Sequence, residues 1–242
     1  MFYYSGLFAD IELAFSFKYP GTAFHYGDAL KVSFLCDDAI VIPEEDVTDW
    51  MERWNVNDPA YSEYVISCSC ACGRLMRYRR VVFHGASFLW RDKAYLFSAP
   101  SGTGKTTQVK LWEALFPDEV KLLNGDKPIL AVSETKSVTV HPSPWKGKEG
   151  YGRDDICAPL GGIILLRQAG YNNIFRMEPA EAARNLFGRI CSSFDAEEDV
   201  LNAAGILESI VTAAPVWLLM NKGDERSARM THQFLLDKEG GL

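Results

Sequence analysis

Apolar residues in the first third of the chain fall into short runs separated by glycine and proline. Several of these runs alternate with polar residues or stop at a turn-forming residue, a pattern typical of β-strands. Such runs occupy residues 11–15, 31–35, 39–42 and 64–69. A weaker helical pattern covers residues 48–55. The pattern predicts a β-rich N-terminal region over residues 1–80.

Strand and helix patterns alternate through the rest of the chain. Apolar runs predict strands at residues 94–97, 120–123, 129–132, 137–140, 162–166 and 216–220. Apolar residues at helical spacing predict helices at residues 105–116, 179–190, 195–211 and 224–236. Because no linker or repeat separates the two parts, the boundary near Arg80 is soft. Residues 81–242 form either a second domain or one domain with the N-terminal region.

Composition and charge exclude some classes of protein. The 242 residues are 48 % hydrophobic and 24 % charged, which is enough to bury a sizeable core. The formal net charge of −7 argues against a nucleic-acid partner, since no basic surplus is present to neutralise phosphates. The N-terminus lacks the features of a signal peptide, and no apolar stretch approaches the roughly 20 residues of a membrane span. We therefore expect no membrane partner and a cytoplasmic location.

Three of the six cysteines, Cys68, Cys70 and Cys72, occupy alternate positions. On a strand, this spacing would put all three on one face. Structural zinc sites usually have two residues between paired cysteines, and this run has one. A small buried strand face is therefore favoured over metal or redox chemistry.

Residues 98–107 read Ser-Ala-Pro-Ser-Gly-Thr-Gly-Lys-Thr-Thr, between a predicted strand and a predicted helix. This is the context and pattern of a P-loop, in which backbone N–H groups and a helix N-terminus surround a phosphate. Lys105 would neutralise the outer phosphates, and Thr106 would ligate Mg²⁺. Ala99 departs from the usual first glycine, and an ordinary glycine-rich turn is the alternative. The expected nucleotide-binding residues are Ser101, Gly102, Thr103, Gly104, Lys105, Thr106 and Thr107.

The next predicted strand ends in Asn124-Gly125-Asp126. A carboxylate in this position holds Mg²⁺ or receives the proton of an attacking hydroxyl in phosphoryl-transfer sites. We expect Asp126 to do one or both, although a plain Asn-Gly-Asp turn is the alternative.

Residues 141–153 carry three glycines and three cations without apolar periodicity. We expect a loop that closes over the anion site as a lid, with Lys148 and Arg153 contacting the transferred phosphate. A solvated turn with incidental charges is the alternative. The elements that follow are expected to be scaffold.

Three segments together resemble the HPr kinase and PEP carboxykinase superfamily: the P-loop of residues 99–107, the strand end at residues 123–128, and the pair His84-Gly85. The resemblance is most specific over residues 83–128 and looser to about residue 219. It implies a P-loop core in a mixed, largely antiparallel sheet, the use of ATP and a divalent metal, and possible assembly into a homo-oligomer. It also implies that His84 lies near the reacting phosphate.

The chain departs from these relatives in two ways. HPr kinases usually end the acidic strand with two adjacent aspartates, whereas only Asp126 is present here. The additional metal and substrate residues of PEP carboxykinases cannot be placed, so that activity is not favoured. The resemblance implies ATP- and Mg²⁺-dependent transfer of the γ-phosphoryl group to a hydroxyl, with serine preferred, on a protein, peptide or small molecule. The alternatives are an ATP- or ADP-binding regulatory module with little turnover and, less favoured, a nucleotide hydrolase acting on nucleic acid.

Overall fold

The computed structural model describes residues 1–34, 36–147, 150–153, 155–194 and 196–239. Within these ranges the chain forms two β-sheets, one of four strands and one of nine, together with α-helices. Eight of the strand pairings are antiparallel and three are parallel. The prediction of an α/β fold with a mixed, largely antiparallel sheet is confirmed.

The four-stranded sheet is formed by the N-terminal part of the chain. In the order in which they lie in the sheet, its strands are β3 (Lys31–Val32), β1 (Phe2–Phe8), β2 (Ile11–Phe17) and β4 (Ile40–Val41). Ala9 and Asp10 connect β1 to β2 with φ values of 48° and 66°. Positive φ at both positions of a two-residue turn matches the twist of a β-hairpin. The rest of this region is helical: a 3₁₀ helix, Pro20–Ala29, and helices α1 (Glu44–Trp54) and α2 (Pro59–Met76).

Helix α2 contains residues 64–69, so the predicted strand there, and the strand face shared by the alternating cysteines, are wrong. Asp58 caps this helix, because its side chain accepts a hydrogen bond of 3.0 Å from the Tyr61 N–H. In a helix, residues two positions apart are rotated by about 200° about the helix axis and so lie on nearly opposite faces. Cys72 is accordingly buried while Cys70 is exposed. The N-terminal region is therefore less β-rich than predicted.

The nine-stranded sheet contains the remaining strands. They are β5 (Arg80–Val82), β6 (Gly85–Trp90), β7 (Lys93–Ser98), β8 (Val120–Asn124), β9 (Ile129–Val132), β10 (Val138–His141), β11 (Ala158–Gln168), β12 (Asn173–Arg176) and β13 (Val216–Asn221). The main path is β5-β9-β10-β11-β7-β6-β8, and β13 pairs with both β11 and β12. Four helices accompany it: α3 (Lys105–Leu115), α4 (Pro179–Leu186), α5 (Glu197–Ala213) and α6 (Glu225–Glu239).

Helices cover both faces of the central strands. Alternate residues of a strand point to opposite faces, so Leu96 joins a buried cluster with Ile206 and Ile210 of α5. Its neighbour Phe97 joins a second cluster with Trp112 of α3. This two-sided burial accounts for the near-continuous apolar sequence of β7 and β11.

The two sheets share a third hydrophobic cluster, which contains Val82 and Ile129 of the large sheet and Phe8 of the small one. Trp145 lies in this cluster with its ring stacked on Phe8, at a centroid distance of 5.6 Å. Its Nε1–H donates to Cys68 Sγ at 2.8 Å. Burial raises the pKa of the Cys68 thiol to about 11, so this sulfur is a protonated packing group.

Strand directions bring three chain segments to one edge of the large sheet. Strand β6 is antiparallel to both β7 and β8, so β7 and β8 run in the same direction. Ser98 at the end of β7 pairs with Gly85, and Asn124 at the end of β8 pairs with Ser87. The chain leaving β7, the chain leaving β8 and the chain entering β6 therefore meet at this edge.

Candidate functional site

Residues 99–104, here called the glycine loop, connect β7 to α3. Gly102 has a φ of 77° and Gly104 a φ of 106°, values that L side chains rarely adopt. A Cβ added to either glycine would meet no described atom within 4 Å. The loop thus leaves open space in front of both glycines, next to the N-terminus of α3. This geometry fits an anion held by backbone N–H groups.

Lys105 is the first residue of α3 and is 8 % exposed. Its Nζ donates to the carbonyl oxygen of Ala99 at 3.0 Å and to that of Pro100 at 3.4 Å. Burial lowers the pKa of Lys105, and the nearby carboxylate of Asp126 only partly offsets this effect. The ammonium is therefore held over the glycine loop with one of its three protons left for a ligand.

The other loop residues differ in their exposure. Ala99 is buried in the core, and its φ lies outside the left-handed region. An alanine in place of the usual first glycine is therefore accommodated without strain. Thr103, Gly104 and Thr106 are half-buried, whereas Ser101, Gly102 and Thr107 are exposed.

Asn124 shapes the turn that presents Asp126. Its Oδ1 accepts hydrogen bonds from the backbone N–H of Asp126 at 2.9 Å and of Lys127 at 2.8 Å. Its Nδ2 donates to the carbonyl oxygen and to Oγ of Ser143, both at 3.2 Å. Asn124 itself is fully buried. The turn is a fixed part of the fold, unlike a flexible surface turn.

The Asp126 carboxylate is paired on both oxygens. His84 Nε2 lies 3.4 Å from Oδ1, and Lys127 Nζ lies 2.8 Å from Oδ2. Burial alone would raise the pKa of Asp126, but the hydrogen bond from His84 and the Lys127 ammonium outweigh burial and hold the pKa well below its usual range. Asp126 is therefore a stable carboxylate, 23 % exposed, at the sheet edge.

His84 is held by its backbone as well as by Asp126. Its N–H donates to the carbonyl oxygen of Arg189 at 2.7 Å, and its carbonyl oxygen accepts from Ser98 Oγ at 2.9 Å. Ser98 is the last residue of β7, directly before the glycine loop. These bonds connect the imidazole that contacts Asp126 to the end of the strand that carries the loop.

Two cations of the site, Lys127 and Arg189, were missed by sequence reasoning. Both lower the pKa of Lys105, so their charges lie near its ammonium. Lys127 directly follows the candidate carboxylate, and this position was the available signal. Arg189 ends a 3₁₀ helix, Phe187–Arg189, in a segment expected to be scaffold. Local sequence gives no signal for it.

Of the two predicted lid residues, the structure describes Arg153, and it does not bring this side chain to the cluster. Lys148 lies outside the described residues. The Arg153 guanidinium is exposed and pairs with Asp155 at 3.2 Å, while its backbone N–H donates to Leu123 at 2.9 Å. Gly125 N–H also donates to Tyr151 at 3.0 Å. Residues 151–153 are thus anchored along the end of β8, and the lid role of the segment stays a prediction.

The oxygen donors of the site fit Mg²⁺ only together with a bound nucleotide. Within the described residues, no group of three or more His, Cys, Asp or Glu side chains is arranged to hold a metal ion by itself. Magnesium bound with nucleotide normally takes one or two protein oxygens together with phosphate oxygens and water. The Thr106 hydroxyl and the Asp126 carboxylate are oxygen donors of that kind.

Comparisons with known proteins do not identify a family. No protein-family model matches the chain, and the curated proteins contain no significant match to it. None of the helices in the described part of the chain combines the length and the hydrophobicity of a membrane span.

Proposed function

We propose that this protein is an ATP- and Mg²⁺-dependent phosphotransferase with a P-loop core of the HPr kinase and PEP carboxykinase type. The observation that carries the proposal is the meeting of Lys105, from the glycine loop, with Asp126, from the end of β8. Asp126 is close enough to act on the pKa of Lys105. A phosphate-binding ammonium and a carboxylate at one strand edge are two of the parts that phosphoryl-transfer sites use.

The glycine loop is the proposed phosphate subsite. Its open space, its two glycines of positive φ and the N-terminus of α3 suit the β-phosphate of a nucleotide. Lys105 adds a positive charge already held over the loop. Thr106 and Asp126 are the residues proposed to hold Mg²⁺, which neutralises phosphate charge when it is bound.

The proposed reaction is a direct in-line transfer. The acceptor hydroxyl oxygen forms a bond to the γ-phosphorus, the bond from that phosphorus to the β,γ-bridging oxygen breaks, and ADP leaves. The hydroxyl proton goes to the Asp126 carboxylate or to the His84 imidazole, which contact each other. His84 then also acts by orienting Asp126. The remaining contribution is positioning and charge stabilisation.

An open groove beside the site is the proposed acceptor subsite. Its volume is about 760 Å³, and it lies between β1, the 3₁₀ helix Pro20–Ala29 and residues 142–146. Ser143 lines this groove, and its Oγ donates to the carbonyl oxygen of Lys127. A Cβ on Gly147 would lie 3.0 Å from the Asp126 Cβ. Residues 142–147 thus form a groove wall and pack against Asp126. The volume of the groove suits a hydroxyl acceptor of peptide or metabolite size.

Label transfer from γ-labelled ATP with Mg²⁺ tests the function, with HPr, free serine and a lysate of the source cells as acceptors. The wild type is expected to label one acceptor. Asp126→Asn should reduce label transfer by about 10²- to 10⁴-fold while nucleotide still binds. Lys105→Ala should lose both label transfer and nucleotide binding. Asp155→Asn, which removes an exposed carboxylate beside Arg153, is the matched control and should transfer normally. An active Lys105→Ala protein would refute this mechanism.

A second candidate is an ATP- or ADP-binding regulatory module with little turnover. The observation that favours it is the pairing of both Asp126 oxygens, because a metal ion would compete with His84 and Lys127 for this carboxylate. Clear nucleotide binding without label transfer to any acceptor, and with slow ADP release, would establish this module in place of the kinase.

A further inference from the structure

Arg189 carries an unused donor inside the site. Its backbone carbonyl accepts the His84 N–H at 2.7 Å, which fixes the residue beside the His84 and Asp126 pair. Its side-chain Nε is buried and has no hydrogen-bond partner among the described residues. Buried polar groups in native structures are nearly always paired, and an unpaired one indicates a missing ligand, water or ion.

The charges around Arg189 point to an anionic ligand. Lys127 pairs with Asp126 at 2.8 Å, and His84, which is bonded to the Arg189 backbone, lies 3.4 Å from the other oxygen of the same carboxylate. The Lys105 ammonium donates to the neutral carbonyl oxygens of Ala99 and Pro100. Asp126 is thus paired on both oxygens, and the positive charges around it exceed its single negative charge. An anion of two or more charges would balance this surplus.

We propose that Arg189 binds the terminal phosphoryl group of the nucleotide. This rests on the proposed function and names a further residue of that site. The glycine loop and Lys105 serve the phosphates next to α3, whereas Arg189 is bonded to His84, on the side where the acceptor hydroxyl would react. A guanidinium can donate two parallel hydrogen bonds to two oxygens of one phosphate, which suits a group that is being transferred.

Arg189→Met tests this assignment, because methionine keeps much of the side-chain length and removes the donors and the charge. Arg184→Met is the matched control, since Arg184 is an exposed arginine on the preceding helix α4. The dissociation constants for ATP and for ADP are measured with Mg²⁺, together with the melting temperature of each nucleotide-free variant. Arg189→Lys serves as the conservative variant.

Arg189→Met is expected to weaken ATP binding by about 10- to 100-fold, the loss of a charge-assisted hydrogen bond. ADP binding should stay within about twofold of the wild type. Arg189→Lys should recover part of the ATP affinity, and Arg184→Met should bind both nucleotides normally. The nucleotide-free Arg189→Met protein should melt close to the wild-type temperature, because the buried Nε has no hydrogen-bond partner among the described residues that the substitution would remove.

Two results would overturn the assignment while leaving the proposed function in place. One is wild-type affinity for both ATP and ADP in Arg189→Met; the other is an equal loss of both affinities with a lower melting temperature, as a purely structural residue would give. A wild-type protein that binds neither nucleotide would overturn the proposed function and this assignment together.

Discussion

Gly102→Ala tests whether the glycine loop holds a phosphate, and Gly223→Ala is its matched control. The two glycines have nearly equal φ values, 77° and 78°. A Cβ at either position would meet no described atom within 4 Å. Both substitutions therefore impose the same backbone strain without a clash. They differ in location, because Gly102 lies in the glycine loop and Gly223 precedes α6.

The size of the shared effect follows from the backbone. An alanine in the left-handed region costs about 1–2 kcal/mol. For a chain of 242 residues, this corresponds to a fall in melting temperature of about 2–8 °C. Only the methyl group added by Gly102→Ala would enter the open space of the loop, where a phosphate oxygen is proposed to lie. We therefore expect Gly102→Ala to weaken ATP binding at least tenfold, or about 1.4 kcal/mol.

Urea unfolding gives the stability of each variant, and calorimetric titration with ATP and Mg²⁺ gives its affinity. The expected result is an equal loss of stability in both variants and a loss of affinity in Gly102→Ala alone. Wild-type affinity in a Gly102→Ala protein that has lost the expected stability would refute the assignment of the loop. Equal losses of affinity in both variants would show that backbone strain, and not the methyl group in the glycine loop, weakens ATP binding.

Two further predictions concern Asp126 and the groove. The pKa of Asp126 in the folded protein lies below its usual value of about 3.9. The ionised carboxylate therefore stabilises the fold above that pH. This stabilisation is lost as the pH falls through the pKa of the folded state. The stability advantage over Asp126→Asn should be constant near neutrality and shrink below about pH 4 in urea titrations; a difference that does not change with pH would contradict this. Leu7→Arg, at a groove residue that is 68 % exposed, should raise the KM for the acceptor about tenfold or more without changing ATP affinity, and an unchanged KM would remove the groove from the acceptor site.

The parts of the structure that could be predicted from sequence are those fixed by neighbouring residues. Strand β7, the glycine loop and α3 follow from an apolar run, two glycines and a helical repeat that are contiguous in the chain. The sequence also contained a signal for α2, since Asp58 followed by Pro59 is a helix start. The strand prediction at residues 64–69 was wrong because a short apolar run does not by itself distinguish a buried strand from a helix segment.

The cations of the site could not be predicted because chain folding, and not local pattern, brings them together. Arg189 joins His84 through one backbone hydrogen bond between distant segments. The pairing of Lys127 with Asp126 is a choice of side-chain conformation between adjacent residues. Arg153 was predicted to contact the phosphate from its glycine-rich loop. In the structure its guanidinium pairs with the neighbouring Asp155.

The contact between Trp145 and Phe8 limits how the chain can be truncated. Phe8 covers Trp145, whose backbone N–H donates to Ser143 Oγ at 3.2 Å, and Ser143 in turn bonds Asn124. Deleting the four-stranded sheet would remove Phe8 and expose Trp145. A shortened chain is therefore a poor substitute for the whole protein in nucleotide assays. The same contacts join the groove wall at Ser143 to the Asn124 turn. A molecule that displaced residues 142–146 would disturb the hydrogen bonds that hold this turn, so we expect occupancy of the groove and the position of the Asp126 carboxylate to be coupled.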